Sequence, residues 1–139
     1  LPFWRSAYCF DVVSTQCQTY GLALWLPYFG TATGPRKFSR YELRSNFACP
    51  LIGSAWDVRD RTLPYDELRR AVQEWRGYAE NYLGDFYPLT PCSLGTDVWV
   101  AWQFDRPDTG HGLIQAFRRA GSIYETASIK LRGLDPAAR

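Results

Sequence analysis

Residues 64–89 read PYDELRRAVQEWRGYAENYLGDFYPL and contain a change from a helical pattern to a β pattern. The apolar residues of this stretch recur in steps of three and four: Leu68, Ala71, Val72, Trp75, Ala79 and Tyr82. That spacing places them on one face of a helix, which needs other elements to pack against. Pro64 suits the first position of a helix, and Gly84 can adopt the left-handed conformation that ends one. The stretch therefore predicts one amphipathic helix from Pro64 to Gly84.

The residues after Gly84 have the pattern of β-strands. Val98–Phe104 and Leu113–Phe117 are apolar runs on either side of Arg106–Gly110, whose Pro-Asp-x-Gly pattern is typical of a hairpin turn. Tyr124–Leu131 has the alternation of a third strand. We therefore expect an antiparallel β domain from residue 84 onward.

The first half of the chain alternates between strand and helix patterns. In order, it predicts a strand tail at Leu1–Arg5, a buried helix within Gln16–Pro27, a loop over Gly30–Lys37, a short helix from the N-cap Ser39 to about Ala48, and a buried strand over Leu51–Val58. Gln16–Pro27 is apolar almost all round, which suits a buried helix or a buried strand, and we favour a helix that ends near Pro27. The alternation is typical of a parallel α/β fold.

Composition argues against two classes of partner. Sixteen Lys and Arg against fourteen Asp and Glu leave a net charge of +2, which gives no electrostatic case for binding nucleic acid. No apolar run has the length that a membrane span needs, and the N-terminus lacks the pattern of a signal peptide. Because the chain contains no Met and begins at Leu1, we expect it to be a piece of a longer polypeptide, its parent protein.

Cysteine and histidine usage limits the possible chemistry. Cys9, Cys17, Cys49 and Cys92 are far apart and lack the two-residue spacing of a zinc site. Without a secretion signal we expect reduced thiols rather than two disulfides, and a cytoplasmic location is favoured although the compartment stays open. His111 is the only histidine and lies at a predicted turn, which excludes a multi-histidine metal site and any Ser-His-Asp triad that does not use it.

A set of short segments is distributed over nearly the whole chain: Arg5-Ser6, Gln18-Thr19-Tyr20-Gly21, Trp25-Leu26-Pro27, Arg44-Ser45, Trp56-Asp57-Val58-Arg59, Gly84-Asp85-Phe86-Tyr87-Pro88-Leu89, Ala101-Trp102-Gln103, Gln115-Ala116-Phe117-Arg118 and Leu131-Arg132-Gly133-Leu134-Asp135-Pro136. In this order they resemble the C-terminal part of the α-galactosidases of glycoside hydrolase family 36, the melibiase-like enzymes.

The resemblance implies a fold and a domain organisation. Residues 1–83 would be the last βα units of a (β/α)8 barrel, and residues 84–139 the incomplete antiparallel β domain that follows it. The family is retaining, with one carboxylate as nucleophile and a second as general acid/base, about 5 to 5.5 Å apart. The nucleophile belongs to an earlier barrel strand and therefore lies outside this chain. No metal or cofactor is implied, and oligomerisation through the parent protein stays open.

The resemblance also implies catalytic residues at the ends of barrel strands. The acid/base of the family should be an Asp directly after the pair Arg5-Ser6, and this sequence has Ala7 at that position. Asp11 is the nearest carboxylate in the same loop and is a candidate substitute. The alternative is that Asp11 caps or solvates the loop.

Three further residues are candidates for sugar binding. Arg5 and Asp57 supply a guanidinium and a carboxylate for sugar hydroxyls, and the indole of Trp56 can stack on a sugar face. The structural alternatives are barrel packing for Trp56 and an ion pair near the barrel rim for Arg5 and Asp57. The other tryptophans are predicted core residues: Trp4, Trp25, Trp75, Trp99 and Trp102.

Three functional hypotheses follow. The first is a fragment, inactive alone, of a retaining glycoside hydrolase that acts on α-galactosides or related α-linked sugars. The second, motivated by Ala7, is a glycosidase-like protein that has lost catalysis and binds carbohydrate. The third is an independent α+β domain without a sugar site. Carbohydrate is the only partner that we expect, and Ala7 leaves the activity of the parent protein open.

Overall fold

The computed structural model describes residues 3–4, 11–26, 29–32, 39–49, 51–52, 57 and 59–134. The chain divides into two compact units, Leu1–Glu80 and Asn81–Arg139. This division lies close to the domain boundary predicted between residues 83 and 84. The identities of the two units, as the end of a barrel and the start of a β domain, remain predictions.

The first unit contains a three-stranded parallel sheet. Its strands are β1 (Phe3–Trp4), β2 (Phe29–Ala32) and β3 (Leu51–Ile52), with β2 in the middle. The register pairs Ala32 with Ile52. The prediction of a loop over Gly30–Lys37 was therefore wrong for Gly30–Ala32. A neighbouring strand on each side outweighs the weak strand propensity of a Gly-Thr-Ala run.

Two helices of this unit begin at polar N-cap residues. α1 (Val12–Ala23) follows Asp11, and α2 (Arg40–Ser45) follows Ser39, whose hydroxyl accepts a hydrogen bond from the Glu42 amide at 3.4 Å. The cap at Ser39 is thus confirmed. The helix expected within Gln16–Pro27 exists but begins and ends earlier. Trp25 consequently lies beyond it and is 72% exposed, so the prediction that Trp25 is a core residue was wrong.

The contact between α1 and α2 includes buried polar side chains. Gln16 is fully buried, and its amide donates hydrogen bonds to the Tyr41 hydroxyl at 3.1 Å and to Ser45 Oγ at 2.9 Å. Thr19 is also buried and donates to the carbonyl of Thr15. Because burying a polar group costs free energy unless it is hydrogen-bonded, these contacts fix the alignment of the two helices.

The amphipathic segment is one α-helix followed by a 3₁₀ turn. α3 covers Tyr65–Arg76 and ends at Gly77, whose amide bonds the last helical carbonyls, and a 3₁₀ turn covers Ala79–Leu83. The expectation of a single helix up to Gly84 was therefore wrong, and the low helix propensity of Gly77 accounts for the break. Among the described residues only Gly110 and Gly133 have positive φ, so Gly84 does not end a helix in the left-handed conformation.

Side chains of α3 and of the residues just after it contact α2 and the residues that follow α2. Arg44 forms two hydrogen bonds with the carboxylate of Glu74, at 2.7 and 3.2 Å, and the indole of Trp75 donates to the Ala48 carbonyl at 2.8 Å. The ring of Tyr78 lies 6.0 Å from that of Phe47. Burial and the neighbouring Glu74 carboxylate raise the pKa of Tyr78, so its hydroxyl stays protonated. The predicted apolar stripe thus packs with polar contacts at its edge.

The second unit contains a three-stranded antiparallel sheet. Its strands are β4 (Asp85–Pro88), β5 (Trp99–Arg106) and β6 (His111–Arg118), in that order across the sheet. The predicted β5–β6 hairpin is confirmed, with Gly110 at φ +68° in its turn. The third strand is β4 and not Tyr124–Leu131, so that prediction was wrong. Tyr124 is 68% exposed, whereas Phe86 of β4 packs against Phe104 with ring centroids 5.3 Å apart.

Aromatic side chains on one face of this sheet form its core. Trp102 is fully buried, lies 5.3 Å from the ring of Phe117 and donates its indole hydrogen to Gln115 at 2.8 Å. Phe104 meets the ring of Tyr82 edge-on at 5.0 Å. Gly84 is needed beside this core because a Cβ there would overlap the carbonyl of Asp105. Its role is close backbone approach.

The opposite face carries a polar attachment for the segment after Arg118. The amide of Gln103, which is buried, donates to the Arg132 carbonyl at 2.7 Å and accepts from the Arg132 amide at 3.0 Å. Gly133 follows with φ +65° beside Asp105 and Tyr87, where a Cβ would be tightly confined. One side chain therefore satisfies both backbone groups of Arg132 without a β-ladder.

Candidate functional site

Two of the parallel strands of the first unit end at the same edge of the sheet. β1 ends at Trp4 and β3 ends at Ile52, and the carboxyl ends of parallel strands lie on the same side. In α/β folds that edge is where active sites form. The candidate carboxylates Asp11 and Asp57 belong to the segments that follow these two strands. Of the other predicted site residues, Arg5, Ala7 and Trp56 lie outside the described residues.

Asp11 is the N-cap of α1. One of its carboxylate oxygens accepts a hydrogen bond from the Ser14 amide at 2.8 Å. This bond and a second one from the Ser14 side chain lower the pKa of Asp11 below its ordinary value. The carboxylate is therefore ionised at neutral pH and accepts hydrogen bonds rather than donating a proton. Its catalytic role stays a prediction, and the geometry matches the alternative in which Asp11 caps the loop.

Asp57 is bound by a neighbouring arginine. Arg59 Nε and the Arg59 backbone amide donate to Asp57 Oδ1 at 2.9 and 3.0 Å, and Arg59 Nη2 donates to Oδ2 at 2.9 Å. These hydrogen bonds lower the pKa of Asp57 below its ordinary value. Both side chains are solvent-exposed. The partner of this candidate sugar-binding carboxylate is thus Arg59, a residue that the sequence did not single out.

The same turn orients a second carboxylate. Asp60 accepts hydrogen bonds from the amide and the hydroxyl of Thr62, at 2.8 and 2.7 Å, and these lower the pKa of Asp60. The negative charge of Asp57 acts in the opposite direction on that pKa, so the two carboxylates influence each other. In the sequence, acidic and basic residues alternate from Asp57 to Arg61, and this alternation was the only local indication that charged side chains interact here. In the structure, a tight turn brings these charges together.

A shallow concave surface adjoins this turn at the start of α3. Its volume is about 400 Å³, and it is lined by Leu63, Pro64, Tyr65, Asp66, Glu67 and Arg70. The Tyr65 hydroxyl donates a hydrogen bond to the Asp60 carbonyl at 3.1 Å, which connects this concave surface to the turn. Such an open, polar surface suits a hydroxylated ligand better than an apolar one.

Metal and thiol chemistry have little support in the described part of the chain. There, no three His, Cys, Asp or Glu residues are grouped closely enough to hold a metal ion. Cys17, Cys49 and Cys92 form no disulfide with one another. Burial raises the pKa of the Cys49 thiol, which makes it a poorer nucleophile.

Known structures identify the fold. The chain is similar to the galactosidase domain of the α-galactosidase–sucrose kinase AgaSK, with a TM-score of 0.67 over 91% of its residues and 20% sequence identity. The chain has the fold of part of a galactosidase domain. It spans 19% of that much longer chain. At this identity the likeness concerns the fold alone, and the roles of Asp11 and Asp57 remain predictions.

Sequence comparison adds a second, partial likeness. No family model matches the chain. The human mitochondrial inner membrane protein Mpv17 is 31% identical over 80 residues, which are 52% of this chain and 46% of that protein. The chain therefore spans less than half the length of this curated relative. None of the helices in the described ranges has both the length and the apolar character required to cross a membrane.

Proposed function

We propose that the chain is part of a retaining glycoside hydrolase that acts on α-galactosides or related α-linked sugars. The galactosidase-domain fold over 91% of the chain carries this proposal. The parallel strands and the carboxylates after β1 and β3 support it, because glycoside hydrolysis is carboxylate chemistry at strand ends. In this proposal the chain alone is inactive, since the nucleophile lies on an earlier strand of the parent protein.

Each candidate residue has a distinct role in this proposal. Arg5 and Asp57 bind sugar hydroxyls, and Trp56 stacks on a sugar face. The upstream nucleophile forms a covalent glycosyl-enzyme intermediate, which water then hydrolyses with retention of configuration. The chemistry requires carbohydrate and water and no metal or cofactor.

Ala7 determines which substrates such an enzyme would cleave. A glycosidic oxygen leaves poorly unless it is protonated, and general acid catalysis contributes about 10²- to 10⁴-fold to the rate. The side chain of alanine has no proton to donate. The Asp11 carboxylate is ionised and accepts the capping hydrogen bond from the Ser14 amide. The proposed enzyme therefore favours aglycones that are stable as anions, such as nitrophenolates.

The second candidate is a carbohydrate-binding protein that has lost catalysis. The observation that favours it is the combination of Ala7 with an Asp11 that serves as a helix cap. In this case Arg5, Trp56 and Asp57 would keep their sugar-binding roles while no glycoside is cleaved.

One assay of the parent protein distinguishes the two candidates. We expect the wild type to cleave a nitrophenyl α-galactoside slowly and an alkyl α-galactoside hardly at all. Ala7→Asp should raise kcat on the alkyl substrate about 10²-fold or more, because a general acid has been restored. If the wild type cleaves the nitrophenyl substrate and the variant gains nothing on the alkyl substrate, Ala7 is not at the acid/base position. Binding of galactose without cleavage by the wild type or Ala7→Asp would favour the second candidate.

A further inference from the structure

Asp57 and Arg59 form a preorganised pair of acceptor and donor groups. Three hydrogen bonds, at 2.9, 3.0 and 2.9 Å, join the carboxylate to the guanidinium and to the Arg59 amide. A bidentate contact of this kind fixes the planes of both groups relative to each other. A ligand that approaches the pair therefore meets groups whose orientation is already determined.

Both members of the pair keep hydrogen-bonding capacity. Asp57 Oδ1 accepts two hydrogen bonds and Oδ2 accepts one, which leaves Oδ2 with room for a further donor. Arg59 donates through Nε and Nη2, and Nη1 makes no hydrogen bond within the described part of the chain. One free acceptor position beside free donors matches two neighbouring sugar hydroxyls, one donating and one accepting.

The charge of this turn favours an uncharged ligand. The carboxylate of Asp57 and the guanidinium of Arg59 cancel, and the next two residues, Asp60 and Arg61, carry opposite charges as well. A carboxylate or phosphate on the ligand would be attracted by the guanidinium of Arg59 but repelled by the carboxylates of Asp57 and Asp60. The side chains of Asp57 and Arg59 are exposed, and the concave surface at the start of α3 adjoins the turn through Asp60 and Tyr65, so a ligand has access.

We propose that Arg59 is a sugar-binding residue that acts together with Asp57, and that the pair selects neutral hexosides over acidic ones. This inference rests on the proposed function but applies equally to a hydrolase and to a carbohydrate-binding protein. Arg59 donates to one sugar hydroxyl through Nη1 and holds Asp57 in place to accept from the next. Removal of either side chain weakens sugar binding without affecting the fold, because both are on the surface.

The test is calorimetric binding of galactose, monodeoxygalactoses and galacturonate to the parent protein. We expect wild type to prefer galactose over galacturonate and Arg59→Ala to weaken galactose binding about tenfold, a loss typical of one charge-assisted hydrogen bond. The same variant should bind one of the monodeoxygalactoses as well as it binds galactose, because the donor to that hydroxyl is absent. Asp57→Asn should reduce the preference for galactose over galacturonate, since it leaves Arg59 with a net positive charge.

Arg61→Ala is the matched control. Arg61 lies two residues further on in the same turn, is exposed and makes no ion pair within the described residues. Its removal should leave galactose affinity unchanged, and the melting temperatures of both arginine variants should equal that of the wild type. Equal effects of Arg59→Ala and Arg61→Ala would overturn the inference, while cleavage of a nitrophenyl α-galactoside by the wild type would still uphold the proposed function. A wild type that neither binds galactose nor cleaves a nitrophenyl α-galactoside would instead overturn the proposed function, and the inference with it.

Discussion

Asp11 shows how one carboxylate can match a catalytic prediction and a structural role at the same time. Its position in the loop after β1 made it the candidate substitute for a missing general acid. The hydrogen bond from Ser14 keeps its carboxylate ionised, whereas a general acid must carry a proton at the working pH. The observed geometry stabilises the start of α1 by offsetting an unsatisfied helical amide and the positive end of the helix dipole.

The capping role predicts a specific pattern of stability. Asp11→Ala should lower the free energy of unfolding by about 1 kcal/mol, a typical value for the loss of a helix cap, and Asp11→Asn should retain most of it. Urea denaturation of the two variants measures this difference. A larger loss for Asn than for Ala would contradict the cap.

The same cap has a predictable dependence on pH. Because the folded-state pKa of Asp11 is below its ordinary value of 3.8, its stabilising contribution is complete above that value. The contribution disappears as the pH falls through the lowered folded-state pKa. The stability difference between wild type and Asp11→Asn should therefore be constant near neutral pH and decrease only in that acidic range.

Local chemistry explains which individual residues the sequence identified. Ser39 and Gly110 were predictable because a cap and a hairpin turn depend on a few consecutive residues. Gly84 was predicted to end a helix, which was wrong. A glycine is needed there because the backbone of Asp105, about twenty residues further along the chain, leaves no room for a Cβ. The alternating charges from Asp57 to Arg61 were visible in the sequence, but Arg59 was missed because charge alone does not show that its side chain turns back onto Asp57.

At the scale of elements, long-range pairing decided the cases in which the sequence pattern failed. Gly30–Ala32 is a strand because β1 and β3 flank it, and β4 is a strand although its short Asp-Phe-Tyr-Pro run follows a helical segment. Pro88 is tolerated in β4 because this strand lies at the edge of the sheet. The β5–β6 hairpin was predictable, since its strands are adjacent in sequence and the turn fixes their register.

The attachment at Gln103 predicts a local change without global unfolding. Gln103→Ala removes both hydrogen bonds to the backbone of Arg132, so trypsin should cleave the parent protein after Lys130 or Arg132 several-fold faster than in wild type. Timed digestion with mass analysis of the products measures this rate. Ile114→Ala is the control, because Ile114 lies opposite Gln103 on β6 and is 46% exposed. Equal cleavage of both variants would show that Gln103 does not hold the segment.

At the scale of the whole molecule, the chain is similar to a small part of a larger known structure. It aligns with 19% of the galactosidase neighbour, and its parallel sheet consists of β1, β2 and β3 among the described strands. In that set β1 and β3 each have a single neighbour, which leaves a row of backbone groups for other strands. These features agree with an origin in a larger fold, which remains a proposal.

The fragment hypothesis predicts that the isolated chain is unstable. We expect it to aggregate or to unfold broadly on heating, because exposed strand edges pair between molecules. Scanning calorimetry together with sedimentation analysis of the 139-residue chain would show this. A monomer with one sharp transition would instead support the independent α+β domain.

Fold and site differ in how far the sequence could determine them. A parallel sheet followed by an antiparallel one was predictable, because hydrophobic periodicity and turn residues indicate both, and the fold is similar to part of a galactosidase domain. The candidate site was less accessible because the sequence gives the residue types but not the directions of their side chains. Asp57 illustrates this, since its charge is visible in the sequence while its orientation depends on Arg59.

The amide of Gln103 has the same arrangement of carbonyl and N–H as a peptide unit, and it takes the place of a strand partner for Arg132. A ladder restricts insertions because one extra residue reverses the direction of every side chain that follows. A single anchoring point imposes no such parity. The largely exposed segment between Tyr124 and Arg132 is thus free to gain or lose residues one at a time, and relatives of this protein should differ in length there while retaining an amide side chain at the position of Gln103.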